Sequence, residues 1–162
     1  MIFWFTGQPG SGKTTLGKAL LEKLDGAFHI DGDDLRGLAH NVDYSEQGRM
    51  SNIRMAQSIA MFLDNKEQDV VVSVVAPYRW LREEFKARHK VNEVYLHTTE
   101  KRGKEKFFVA DYEPPQENFL DVVLSLEVSL MSWLWAEAFR SLIMTIAKHL
   151  TTISFLFKHQ HI

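Results

Sequence analysis

Short apolar runs punctuate the chain, and the longer stretches between them carry helical spacing. Ile2 to Thr6, Ala27 to Asp31, Val70 to Val75 and Glu93 to His97 read as strands, with a weaker fifth from Leu120 to Leu124. Val70-Val71-Val72-Ser73-Val74-Val75 is apolar nearly throughout, as a central strand covered on both faces requires. Gly12 to Leu24, Ser45 to Lys66 and Arg79 to Lys90 read as helices. In the second of these, Ile53, Ala56, Ala60 and Leu63 recur at i, i+3, i+7 and i+10 and make one apolar stripe. Glu127 to Leu150 suits a further helix, apolar on more sides than a surface helix needs. Strands alternating with helices predict an α/β, three-layer domain, a parallel sheet covered by helices.

The first strand runs straight into Gly7-Gln8-Pro9-Gly10-Ser11-Gly12-Lys13-Thr14, a full match to G-x-x-x-x-G-K-[ST]. Glycines there let backbone N–H groups turn inward onto phosphate oxygens, and the following helix adds its positive N-terminal end. The loop, with Thr15 after it, is expected to hold ATP. Lys13 reaches the β- and γ-phosphates as a catalytic group, and the Thr14 hydroxyl ligands Mg²⁺. The domain is thus predicted to be a P-loop NTPase.

His29-Ile30-Asp31-Gly32-Asp33-Asp34-Leu35-Arg36 closes the second strand, and ligands of open α/β sheets sit beyond the carboxyl ends of strands. A carboxylate there can accept a proton from a substrate hydroxyl or hold the metal's water shell. Asp33 is the first choice for that catalytic and metal-holding role, and Asp31 the second. The alternative is that Asp31 to Asp34 only turn the chain and cap a helix. No aspartate follows the Val70 to Val75 strand, where GTPase switches and motor ATPases usually carry one. Its absence favours a kinase-like P-loop domain acting on a small molecule.

Composition adjusts this picture. The chain has 162 residues and a formal net charge of −2, enough for one domain and too little positive charge for nucleic acid to be an expected partner. Cysteine is absent, which excludes disulfides, thiol nucleophiles and cysteine-held metals and fits a reducing, cytoplasmic setting. The N-terminus lacks a basic region and reads as a buried strand, not a signal peptide. After Asp121 only five of 41 residues are charged, and every Gly and Pro lies before residue 116. Residues 1–121 are therefore read as a kinase core, and 122–162 as an atypical apolar segment, helical and packed on the same domain. Uncharged stretches in it, such as Val128 to Ala136, fall well short of the roughly 18 to 20 residues a spanning helix needs, so no membrane association is expected.

Several segments together resemble the adenylylsulfate (APS) kinase family. Asp31-Gly32-Asp33-Asp34-Leu35-Arg36 is similar to that family's D-G-D-N-x-R. Tyr44-Ser45-Glu46-Gln47-Gly48-Arg49 followed by Asn52-Ile53-Arg54 is similar to F-S-x-x-D-R and N-I-R, with Gly48 where Asp is usual. Ala76-Pro77-Tyr78-Arg79-Trp80-Leu81-Arg82 is similar to S-P-Y-R-x-x-R, and Glu93-Val94-Tyr95-Leu96 and Tyr112-Glu113-Pro114-Pro115 complete the series. The resemblance implies transfer of the γ-phosphate of ATP·Mg²⁺ to the 3′-hydroxyl of adenosine 5′-phosphosulfate, giving PAPS, by a homodimer. Ala76 stands where the family has Ser, so transfer is expected to be direct.

On the same resemblance, Arg36 and Arg49 would fork onto the phosphosulfate. Tyr44 would stack on adenine, with Phe107 or Phe108 as a second face, and Asn52 would hydrogen-bond the substrate. The bland alternatives are a helix-neighbour pairing for Arg49 and core cover for Tyr44. Arg79 and Arg82 either touch phosphate or solvate their helix. The lid between Leu96 and Tyr112 has only fifteen residues, against a longer basic insert in the family. Lys101, Arg102, Lys104 and Lys106 would supply its charge, with Gly103 as a hinge. The rival readings are a P-loop kinase of another small or nucleotide-like acceptor, and a non-catalytic ATP-binding protein.

Overall fold

Five strands form one sheet: β1 (Ile2–Thr6), β2 (Phe28–Asp31), β3 (Val70–Ser73), β4 (Val91–His97) and β5 (Val122–Ser125). They lie in the order β2-β3-β1-β4-β5, and every pair is parallel. The computed structural model describes residues 1–98, 102–116 and the backbone of 122–125. Met1–Glu127 make one compact unit; a second, Val128–Ile162, lies outside the described residues, as does the helix expected at Glu127 to Leu150.

The apolar runs dictate the centre of the sheet. All residues of β1 and β3 are buried, and each of these strands is paired on both sides. Ile2 and Trp4 point to the face that also takes Ile30, Val70 and Val72, because side chains alternate along a strand. That face is covered by α3 (Glu46–Asp64) and α4 (Arg79–Lys86), through Ile53, Ala56, Ala60, Leu81 and Phe85. The stripe expected on α3 is thus its buried side, with Leu63 partly buried against the same cluster. Ser45 caps α3, its hydroxyl accepting from the Gly48 amide at 3.2 Å.

The opposite face carries α1 (Lys13–Leu21). Ser73 Oγ donates to the Lys13 carbonyl at 3.2 Å, which uses its one proton. His29 Nε2, 3.0 Å from that oxygen, is therefore the donor in their contact. The chain from His29 through Ser73 ties the first turn of α1 to β2 and β3.

One helix has no periodic apolar signal. α2 (Gly32–Leu38) follows β2 without a loop and buries only Leu35. What starts it is the capping that the Asp31 to Asp34 run allowed as its plainer reading: Asp31 Oδ1 accepts from the Asp33 amide at 2.9 Å. The fifth strand starts two residues later than its apolar run, in register with Val94 to His97.

Arg82 departs from both expectations for it. It is 2% exposed, neither solvated nor aimed at a phosphate site. Its Nε donates to Glu93 Oε1 at 2.6 Å, Nη1 to the Ala76 carbonyl at 2.6 Å and Nη2 to the Glu113 carbonyl at 2.7 Å. Lys86 reaches the other Glu93 oxygen at 2.7 Å. A buried charge stands only when paired in this way. Arg79 is likewise structural: its amide donates to Glu113 Oε2 at 2.6 Å and its Nε to the Pro114 carbonyl at 2.8 Å.

Candidate active site

The carboxyl ends of β1, β2 and β3 bring the predicted motifs together. From Gly7, Gln8 to Gly10 form a half-buried arch closed by Ser11 N donating to the Gln8 carbonyl at 3.1 Å; Ser11 itself is buried and Thr15 exposed. Gly12 caps α1 at φ +97°, a conformation that a side chain would strain. The result is a tight loop leading into a helix N-terminus, the arrangement that takes up phosphate.

Lys13 is 8% exposed and folds back over this loop. Its Nζ donates to the Gln8 carbonyl at 2.8 Å and lies 3.5 Å from Ser11 Oγ. Burial pulls its pKa down to about 8, against the opposing pull of Asp31 and Asp33. A bound triphosphate favours the charged form and lifts the pKa again. Affinity for ATP is therefore expected to be flat below about pH 8 and to fall above it, by up to about tenfold per pH unit, as each binding event takes up a proton. Titrations between pH 7 and 9.5 in buffers of different ionisation enthalpy check both the trend and the proton.

Beside Lys13, Thr14 Oγ1 donates to Asp31 Oδ2 at 2.7 Å. Asp31 therefore does two jobs, capping α2 through one oxygen and meeting the candidate metal-binding hydroxyl through the other. Asp33, the first choice from sequence, is exposed on the first turn of α2, and its carboxylate pairs with no described residue. Among the described residues no cluster of three or more His, Cys, Asp or Glu could hold a metal alone. A hydroxyl and a carboxylate facing a phosphate loop nevertheless fit Mg²⁺, which keeps several waters and takes phosphate oxygens as ligands.

The substrate-side candidates gather around the turn from α2 to α3: Arg36 on α2, Tyr44 between the helices, and Arg49 and Asn52 on α3. Arg36 Nη1 donates to the Asp43 carbonyl at 2.7 Å and the Asn41 carbonyl at 3.3 Å, and its guanidinium lies 4.3 Å from the Tyr44 ring centroid. Arg49 Nε donates to the Tyr44 carbonyl at 2.7 Å. Both arginines thus brace the loop that presents Tyr44, whose ring is 60% exposed and far from serving as core cover. Asn52 is buried; its Nδ2 donates to the Gly32 carbonyl at 3.2 Å, and its Oδ1 has no partner among the described residues. It lines a cavity of about 330 Å³ with Asn41, Asp43, Gln47 and Ser51.

The departure at Gly48 has a steric cause. A Cβ there would meet the Asp43 carbonyl oxygen and come within 2.7 Å of Asp43 Cβ. Asp43, held by the Ser45 amide and hydroxyl at 2.8 Å each, occupies the space that a side chain at 48 would need. Gly48→Ala is expected to lower stability by about 1–3 kcal/mol through overpacking, and Gly48→Asp by more, as read from denaturant midpoints.

Phe107 closes a short 3₁₀ turn, Glu105–Phe107, and is 50% exposed; Phe108 follows it at 43%. Lys106 Nζ lies 4.9 Å from the Phe107 ring centroid. Among the described residues neither phenylalanine stacks on Tyr44. Lys101 lies outside the described residues, whereas Arg102 Nη1 reaches the Gly10 carbonyl at 3.3 Å. No described helix is long and apolar enough to cross a membrane.

Comparison with known proteins fits this arrangement. The sequence profile of adenylylsulphate kinase matches residues 1–108. The adenylyl-sulfate kinase of Lactiplantibacillus plantarum is 34% identical over 98 residues, 57% of this chain and 47% of that protein. The cytidine diphosphoramidate kinase of Campylobacter jejuni is 37% identical over 81 residues, 48% of each. The chain spans about half the length of these curated relatives. The solved APS kinase of Mycobacterium tuberculosis in complex with AMPPNP and APS superposes with a TM-score of 0.69 at 24% identity, over 91% of this chain and 96% of that one, which shows a shared fold. With the phosphate loop, the Asp31 to Arg36 segment and the Tyr44 to Asn52 segment all inside the matched residues, the chain belongs to the adenylylsulphate kinase family.

Proposed function

We propose that the protein moves the γ-phosphate of ATP to the 3′-hydroxyl of adenosine 5′-phosphosulfate, giving ADP and PAPS. The observation that carries this reading is the convergence of Lys13, Thr14 and Asp31 at one phosphate loop, within 2.7–2.8 Å of their partners. Lys13 exchanges its bond to the Gln8 carbonyl for phosphate oxygens, and the loop amides hold the remaining charge. Thr14, with Asp31 or Asp33 beside it, would hold Mg²⁺, which when bound offsets phosphate charge. Asp33, exposed on the first turn of α2, accepts the acceptor's hydroxyl proton. The acceptor oxygen bonds to the γ-phosphorus as the bridging bond to ADP breaks. Arg36, Arg49, Tyr44 and Asn52 face the acceptor.

Incubation with labelled ATP and APS tests this. Labelled PAPS is expected, and ATP binding without PAPS would overturn it. One observation favours a second acceptor class: the relative from Campylobacter jejuni is named for a cytidine compound. A cytidine nucleotide therefore belongs in the same assay, and its labelling in place of APS would reassign the acceptor.

A further inference from the structure

The phosphate loop uses Gln8 twice. Its carbonyl closes the arch and holds Lys13, while its side chain turns the other way. Gln8 Nε2 donates to the Val109 carbonyl at 2.8 Å, and the Val109 amide donates to Gln8 Oε1 at 2.9 Å. The side chain thus pairs with both backbone groups of one residue, as a residue of an antiparallel strand would. This requires one donor and one acceptor on a single planar group, which among side chains only the primary amides provide in this form. Neighbouring contacts follow the same line. Thr6 Oγ1 meets the Tyr112 hydroxyl at 2.6 Å, and Arg102 reaches the Gly10 carbonyl at 3.3 Å. A Cβ on Gly10 would lie 3.2 Å from Lys104 Cβ. Residues 6, 8 and 10 are thus matched to lid residues 112, 109 and 102 or 104.

We propose that Gln8 is a positioning residue that latches the lid onto the phosphate loop, setting Phe107, Phe108, Arg102, Lys104 and Lys106 over the reacting groups. The catalytic part of this inference rests on the kinase reading; the latch itself does not. The amide acts through Val109 and touches no substrate. A latch of two hydrogen bonds shifts the docked fraction of the lid by about tenfold or more.

Two variants reach the latch from opposite sides. Gln8→Leu removes both bonds from the loop side. Val109→Pro removes the lid donor without altering the loop, and Phe108, at φ −59° and ψ 144°, already has the extended backbone that a residue before proline needs. In the full chain, Gln8→Leu is expected to speed tryptic cleavage after Arg102, Lys104 or Lys106 about tenfold and to lower kcat/KM for the acceptor by a similar factor. Val109→Pro, which keeps the bond from Gln8 Nε2 to the carbonyl of residue 109, moves both in the same direction by a smaller factor, with ATP affinity changed less than twofold. The double variant is no worse than Gln8→Leu alone, since that change already removes both bonds.

Cleavage at the parent rate in Gln8→Leu, or losses that multiply in the double variant, would overturn the latch. If the parent transfers phosphate to no acceptor, the proposed function fails, and the cleavage rates and their non-additivity still decide the latch.

Discussion

Lys13→Met is expected to lower transfer by about 10²–10³ in kcat/KM while leaving the protein at least as stable as the parent. The two halves of that result share one cause. The ammonium is 8% exposed and its pKa is pulled down to about 8, so folding keeps a charge where it is poorly solvated. Methionine fills a similar volume without that penalty, and the Gln8 carbonyl still accepts from Ser11. What is lost is the Lys13 ammonium beside the loop amides, the group that follows charge onto the phosphates as the transition state forms. Paired melting and steady-state measurements check this. A variant within tenfold of the parent in kcat/KM would mean that Lys13 only closes the loop.

The two aspartates should separate in the same way. Asp33→Asn is expected to lower kcat by about 10²–10⁴ with ATP affinity held, since an amide cannot take the hydroxyl proton. Asp31→Asn should keep the fold, because asparagine caps α2 nearly as well. It weakens the charged acceptor 2.7 Å from Thr14 Oγ1, so the Mg²⁺ concentration for half-maximal rate should rise about tenfold or more. Rates across a magnesium titration for both variants, with equilibrium ATP binding, check the assignment. Full activity in Asp33→Asn would remove that residue from the catalytic role.

How legible this was depends on the distance over which each signal acts. The phosphate loop, the apolar centre of the sheet and the stripe on α3 are local patterns, and each lies where its spacing placed it. Asp31 and Asp33 share one run of carboxylates, and spacing alone cannot say which meets Thr14; the register of β2 against β3, pairing Asp31 with Ser73, makes that choice. The absence of a side chain at 48 is meaningful only once Asp43 is seen filling the space. The Gln8 amide and its partner lie 101 residues apart, so no window on the sequence contains both. Arg82 did leave a trace. It lies on α4 beside buried Leu81, and Glu93 stands directly before the buried run Val94 to Leu96, so two charges in buried settings required each other.

That pair also bears on how the lid moves. Arg82 holds the Ala76 carbonyl and the Glu113 carbonyl with one guanidinium, and the Pro77 carbonyl accepts from the Glu113 amide at 2.9 Å. The return end of the lid is therefore bolted to the loop after β3. Nine residues from Gly103 to Asp111 precede that anchor, a stretch of about 30 Å at full extension. The Gln8 latch at Val109 therefore lies four residues from a fixed root, so releasing it requires no change at Glu113.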